Sequence, residues 1–246
     1  ALKAFSVELE IPGDFRECTY SIQGTGNVGF HLLEALIQNG ARKIRYLSDV
    51  SGGIRMQADI SDDLFVQLKN HLDHKGAPKD FVHPDVEFVP GEAILSADVD
   101  VLVPAALQNQ IREDNVGQIK ARLVIEAANG PTTPGADRML QERSRKAIVV
   151  PDILANAGGV IVSSWEWLQN IEDEKWPLVM VNKMLESTMA RGFQPVRVAR
   201  VAVCEHHRHA AVGVGLGRVR VVVDAVMAVV QRLHPPVVDL QVPEAA

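Results

Sequence analysis

Short, nearly unbroken apolar runs alternate along this chain with segments whose apolar residues recur every three or four positions. Thr19 to Ile22 predicts a strand. Asn27 to Gln38 follows with Val28, Leu32, Leu33 and Leu36 at helical spacing, stopping at Asn39-Gly40. The run KIRYLSD predicts a second strand ending at Asp49, ahead of Ser51-Gly52-Gly53. Leu64, Phe65, Leu68 and Leu72 share one face of a helix expected over Asp63 to Leu72. DVDVLVPAAL, Asp98 to Leu107, reads as a buried strand halted at Pro104. A polar helix near Glu113 to Ile119 leads to the strand in RLVIEAANGPTTP, which ends in an Asn129-Gly130 turn. A helix over Pro134 to Arg143, a strand in KAIVVPD stopped by Pro151, and helices over Gly159 to Asn170 and Lys175 to Phe193 complete the pattern.

Strands that alternate with helices and are apolar on both sides belong in a parallel sheet covered on both faces. The expected core is therefore a doubly wound α/β domain over roughly Thr19 to Asp152, with helices after it. One of its turns carries candidate chemistry. Gly24-Thr25-Gly26-Asn27-Val28-Gly29 stands between a strand and a helix. Gly24 permits a tight turn, Gly26 lets backbone approach a pyrophosphate, and Gly29 lets the helix pack closely on the sheet. Free N–H groups at the helix start then hold phosphates. Asp49 closes the next strand about twenty residues on, where an acidic group pairs with a ribose diol. The competing reading is a glycine-tight corner with a capping aspartate.

Composition narrows the partners. Of 246 residues, 47% are hydrophobic and 23% charged, the proportions of an ordinary globular protein. A net charge of -6 gives no support to nucleic acid or an acidic membrane surface as partner. No apolar run is long enough to span a bilayer. Two distant cysteines, Cys18 and Cys204, make no disulfide framework and fit a reducing cytoplasm. From Val196 valine and arginine dominate, and no clean period of two or 3.6 survives. CEHHRH, Cys204 to His209, contains good zinc ligands but matches no standard zinc spacing, so no metal site is assigned.

Five strings, in order, resemble the glutamate dehydrogenase family, part of the group acting on Glu, Leu, Phe and Val. They are QGTGNVG, SDVSGG, DVLVPAALQNQI, EAANGPTTPGADRML and VVPDILANAGGVIVSSWEWLQN, and the resemblance runs from about Ala1 to Phe193. ANGPTTP and the NAGGV…EWLQN string favour glutamate dehydrogenase over the leucine and phenylalanine branch. The resemblance implies a Rossmann-like fold over 1–170, a helical extension over 171–195 and a divergent tail over 196–246. It also implies reversible oxidative deamination of L-glutamate to 2-oxoglutarate and ammonia with NAD or NADP. Cofactor contacts would come from Gly24 to Gly29, from Asp49, Val50 and Ser51, and from Pro104, Ala105, Ala106, Asn129 and Asn156. Val160 and Ser163 would line the substrate pocket, with the Ser163 hydroxyl donating to the distal carboxylate. On charge grounds Asp49 favours NAD, while Ser48 and Ser51 leave NADP open.

The chain also departs from that family. Its catalytic lysine and aspartate come from a preceding substrate domain, and no lysine here has the required glycine-rich setting. The ALKAF start looks like a helix already under way, so a truncated chain, inactive alone, is expected. Family members are commonly hexamers, an assembly that leans on the unmatched domain. Thr25 stands where the family usually has an aromatic residue. The tail from Val196 reads as poorly ordered or as the product of a reading-frame shift. Two other readings stay open: a dehydrogenase for another amino acid, and a non-catalytic nucleotide-binding module.

Overall fold

In chain order the computed structural model has α1 (Leu2–Leu9), β1 (Tyr20–Gln23), α2 (Asn27–Gln38), β2 (Ile44–Asp49), β3 (Gly52–Met56), α3 (Asp62–Asp73) and β4 (Val86–Val89). There follow β5 (Val101–Pro104), β6 (Leu123–Ile125), α4 (Pro134–Glu142), β7 (Ile148–Val150), α5 (Asp152–Ala155), α6 (Ala157–Glu172) and α7 (Leu178–His206). The structure describes residues 2–74, 76–142 and 147–206. They group into two units, one ending at Asn156 and one beginning at Ala157.

The first unit is built on a seven-stranded sheet ordered β4-β3-β2-β1-β5-β6-β7. β2, β1, β5, β6 and β7 run parallel. At one edge β3 runs antiparallel to β2, and β4 antiparallel to β3. From β1 the chain steps to β2 in one direction, and from β6 to β7 in the other. Right-handed crossovers therefore put α2 and α4 on opposite faces. Leu102 and Val124 are paired across β5 and β6, and share a core with Val116, Ile119 and, from α4, Ala136 and Leu140. On α2, Gly29, Leu33 and Ile37 are buried. The Rossmann-like, mainly parallel sheet expected from the alternating pattern is present.

One local expectation needed revision. The helix expected over Glu113 to Ile119 shrinks to a 3-10 turn, Val116–Gln118. The Asn115 side chain accepts from the Arg112 N–H at 2.8 Å and donates to the Gln110 carbonyl at 2.8 Å, fixing a turn in place of a helix. Ser51-Gly52-Gly53 leads straight into β3 through a tight hairpin in which Asp49 pairs with Gly52. There Gly52 adopts φ +138, open to glycine, and a Cβ on Gly53 would lie 2.8 Å from Ile94 Cδ1. These glycines serve strand packing. The sheet unit closes at Asn156, and α6 groups with α7.

In the second unit Trp165 of α6 is buried. The α7 backbone stays helical from Leu178 past Val196 to His206. The remainder of the expected divergent tail, 207–246, and with it half of CEHHRH, lies outside the described residues. Among the described residues no helix is long and apolar enough to cross a membrane.

The entry to β1 is tied to β5 across 81 residues of sequence. Asp100 Oδ2 accepts from the Thr19 N–H and hydroxyl, both at 2.8 Å, and the Asp100 N–H donates to Thr19 Oγ1 at 2.9 Å. Asp100→Ala strands two donors in a part-buried corner. It is expected to lower unfolding free energy by about 1–3 kcal/mol, readable from urea midpoints at unchanged m-value.

Candidate functional site

The parallel register brings the strand ends level. Gln23 pairs with Ser48 of β2 on one side and Pro104 of β5 on the other. Gly24, Asp49 and Ala105 therefore emerge side by side at the carboxyl edge. β6 and β7 deliver Glu126 and Pro151 to the same edge. Because the connection from β1 leads to β2 and that from β5 leads to β6 on the other side, a crevice opens between β1 and β5, the usual ligand position of a doubly wound sheet.

The three glycines divide their work. Gly24 has φ +108, and a Cβ on it would lie 2.8 Å from the Ala105 carbonyl oxygen. Its N–H donates to the Ser48 carbonyl at 2.7 Å. A Cβ on Gly29 would stand 1.9 Å from the Gly24 carbonyl oxygen, so the first turn of α2 can meet β1 only with glycine here. Gly26 differs: a Cβ there would meet nothing within 4 Å. It is the N-cap of α2, and no side chain caps the helix. The leading N–H groups of a helix have no partner within it. Gly26, Asn27 and Val28 are exposed, so those groups form an anion-ready cradle. Thr25 lies half-buried in the same loop.

Beside the cradle, Asp49 Oδ1 accepts from the Ser51 N–H at 2.7 Å and the Ser51 hydroxyl at 2.6 Å. The carboxylate is thereby oriented, with Oδ2 outside this turn. Val50 is 92% exposed above it. Ser48 is buried, so its hydroxyl is withdrawn from the surface.

Across the crevice, the Pro104 carbonyl accepts from the Ala127 and Ala128 N–H groups at 3.2 and 2.9 Å, and the Ala105 N–H donates to Gln23 at 2.8 Å. Ala105 is buried and Ala106 half-buried. Asn156 Nδ2 donates to Asn129 Oδ1 at 2.6 Å, joining two residues 27 apart in sequence. Val160 and Ser163 are on α6 in the second unit, one helical turn apart and both exposed.

Glu126 and Asp152 had no role assigned from sequence. Asp152 Oδ2 accepts from the Gly130 N–H at 2.7 Å, and Glu126 Oε2 accepts from the Asp152 N–H at 3.0 Å. Their signal was a carboxylate just past each apolar strand, ambiguous without knowing the strands were neighbours. The Cys18 thiol, by contrast, is inert: burial pushes it up to about 12.

Burial raises the Glu126 carboxyl to about 7, against the opposing pull of the Thr132 hydroxyl and the Asp152 N–H; the nearby Asp152 and Asp137 charges add to the rise. The unfolded chain releases this proton near 4.5, whereas the folded chain holds it to about 7. Stability therefore falls as pH rises through that window, by on the order of 3 kcal/mol. Glu126→Gln keeps an acceptor for Asp152 but cannot ionise. Its urea midpoint should change less than the parent's between those two pH values, and it should be the more stable form above pH 7.

Comparison with known proteins accords with this geometry. The family model for glutamate/leucine/phenylalanine/valine dehydrogenase matches residues 3–225. The NADP(+)-dependent glutamate dehydrogenase of Pyrobaculum calidifontis is 39% identical over 201 residues, covering 82% of this chain and 46% of that protein. Glutamate dehydrogenase of Thermotoga maritima is 40% identical over 183 residues, 74% of this chain and 42% of its own length. The chain thus spans less than half the length of these relatives. Among solved structures, the hetero-hexameric glutamate dehydrogenase of Thermus thermophilus in its Leu-bound form superposes with TM-score 0.65 at 25% identity, covering 96% of this chain and 51% of that one. Plasmodium falciparum glutamate dehydrogenase, at 22% identity and TM-score 0.70 over 94% of this chain and 49% of its own, shares the fold. From the matched glycine turn to the matched strand ends, this chain belongs to the glutamate/leucine/phenylalanine/valine dehydrogenase family.

Proposed function

We propose that this chain is the cofactor-binding part of a glutamate dehydrogenase, serving the reversible NAD(P)-dependent oxidative deamination of L-glutamate to 2-oxoglutarate and ammonia. The observation that carries the reading is Gly26. Its neighbours Gly24 and Gly29 are packed against backbone, yet Gly26 faces open space over the uncapped start of α2. A corner built only for tightness would have no use for that gap; a pyrophosphate fills it.

The parts then have distinct tasks. The first N–H groups of α2 hold the pyrophosphate, and the Asp49 carboxylate, fixed by Ser51, accepts from the adenosine ribose hydroxyls. Pro104, Ala105 and Ala106 form the floor near the middle of the dinucleotide, and Asn129 and Asn156 serve its nicotinamide riboside. When bound, the nicotinamide ring supplies the hydride acceptor or donor at its C4. Val160 and Ser163 contribute the substrate side-chain pocket, where the Ser163 hydroxyl donates to the distal carboxylate and selects glutamate over apolar amino acids. The acid-base lysine and aspartate of the family match no position here, so the chain by itself binds cofactor without turning over glutamate. The reduced, buried Cys18 suits a cytoplasmic setting. Asp49 and the withdrawn Ser48 favour NAD over NADP.

Two measurements test this. Titration with NADH and NADPH, followed by nucleotide fluorescence, should give tighter binding to NADH, and Asp49→Asn should narrow the difference; equal affinities in the parent chain would remove the NAD preference. Gly26→Val should abolish binding of both nucleotides at a stability cost of about 1 kcal/mol, because its φ of -71 suits any residue. Gly29→Ala should instead disrupt the fold of the turn. A Gly26→Val protein that binds NADH normally would reduce the loop to a packing corner.

A further inference from the structure

Outside the cradle, the Lys69–Glu34–His31 cluster joins α2 and α3, and Phe88 is exposed on the edge strand β4. A fuller geometry surrounds Asp152, and a role for it rests on the chain binding a nicotinamide dinucleotide. Asp152 is the first residue of α5, directly after Pro151. Its carboxylate divides between two donors, Oδ2 taking the Gly130 N–H at 2.7 Å and Oδ1 the Ile153 N–H at 2.6 Å. Its own carbonyl accepts from the Asn156 N–H at 2.9 Å. One residue therefore holds the turn that carries Asn129 and the backbone that carries Asn156. The Glu126 carboxylate secures it from behind through the Asp152 N–H at 3.0 Å.

That arrangement closes a ring. The Asn156 Nδ2 to Asn129 Oδ1 bond of 2.6 Å completes it on the exposed side. Committing those two atoms leaves Asn129 Nδ2 to donate and Asn156 Oδ1 to accept. A donor beside an acceptor is complementary to a primary carboxamide, the polar group of the nicotinamide ring. We propose that Asp152 is a positioning residue for the nicotinamide end of the dinucleotide: by tying the Asn129-Gly130 turn to the start of α5 it presents the Asn129–Asn156 amide pair as a preformed donor–acceptor edge.

The rest of the turn does not depend on this tie. The Gly130 carbonyl accepts from the Asn109 N–H at 2.9 Å, and the Pro131 carbonyl from Gln110 and Ile111 at 2.7 and 2.9 Å. The bond from Asn156 N–H to the Asp152 carbonyl also survives any side-chain change at 152. Replacing the carboxylate thus loosens the Asn129 side chain and leaves the surrounding backbone anchored.

The test compares NADH with ADP-ribose, which lacks nicotinamide, by calorimetric titration of the parent chain, Asp152→Ala, Asp152→Asn and Asn129→Ala. Asp152→Ala is expected to weaken NADH about tenfold, equivalent to about 1.4 kcal/mol, and to leave ADP-ribose within twofold. Asp152→Asn, which retains one carbonyl acceptor, should fall between. Adding Asp152→Ala to Asn129→Ala should cost nothing further, since the two act through one contact. Unchanged NADH affinity in Asp152→Ala, or equal loss for both ligands, overturns the proposal. Should Asp152→Ala lack a native circular dichroism spectrum, Asp152→Asn decides on the same comparison. A parent chain that binds ADP-ribose but gains nothing from nicotinamide also overturns it. One that binds neither ligand overturns the cofactor reading on which it rests.

Discussion

The Gly24 carbonyl oxygen sits where a Cβ of residue 29 would be, 1.9 Å away, and the architecture of the carboxyl edge follows from that close approach. A helix that starts two residues after a turn must lay its first turn against the strand it has just left. Gly29 allows this, and Gly24, pressed in turn on the Ala105 backbone, brings the exit of β5 to the same point. Three elements converge with only backbone between them. The space that remains is the opening over Gly26, directed at the start of α2.

The two sides of the crevice are stabilised by different physics. On the α2 side the cradle is formed by backbone, with no side-chain cap on the helix and no cation in the loop Gly24 to Gly29. In a chain carrying a net charge of -6, the positive end of the α2 dipole here stands without a neighbouring cation in its loop. On the β6 and β7 side, carboxylates replace close packing. Glu126 and Asp152 hold backbone N–H groups, and the burial of Glu126 sets its proton affinity near neutrality. The loop Gly24 to Gly29 contains no titratable group, whereas the second side rests on two carboxylates.

Much of this was legible in the sequence where local pattern and tertiary demand agree. Asn27 to Gln38 starts and stops as its glycines dictate, and Asp49 ends its strand as expected. The edge strands β3 and β4 went unpredicted because the packing of Gly52 and Gly53 against Phe88 and Ile94 depends on residues about forty positions away. Glu113 to Ile119 carried helical text, but the Asn115 side chain competes successfully for the backbone. At the site, Asn129 and Asn156 were recognisable only through resemblance. Asp152 was hidden because its partner Gly130 is brought near by the β6–β7 pairing, which no local pattern announces.

The buried Trp165 belongs to a set with an uneven distribution. All three tryptophans, Trp165, Trp167 and Trp176, fall after Ala157, and the sheet unit contains none. Indole emission therefore originates wholly in the helical unit, whereas the sheet unit contributes tyrosine absorption and peptide ellipticity. Loss of order in the helical unit can therefore be followed through indole emission without a tryptophan signal from the sheet unit.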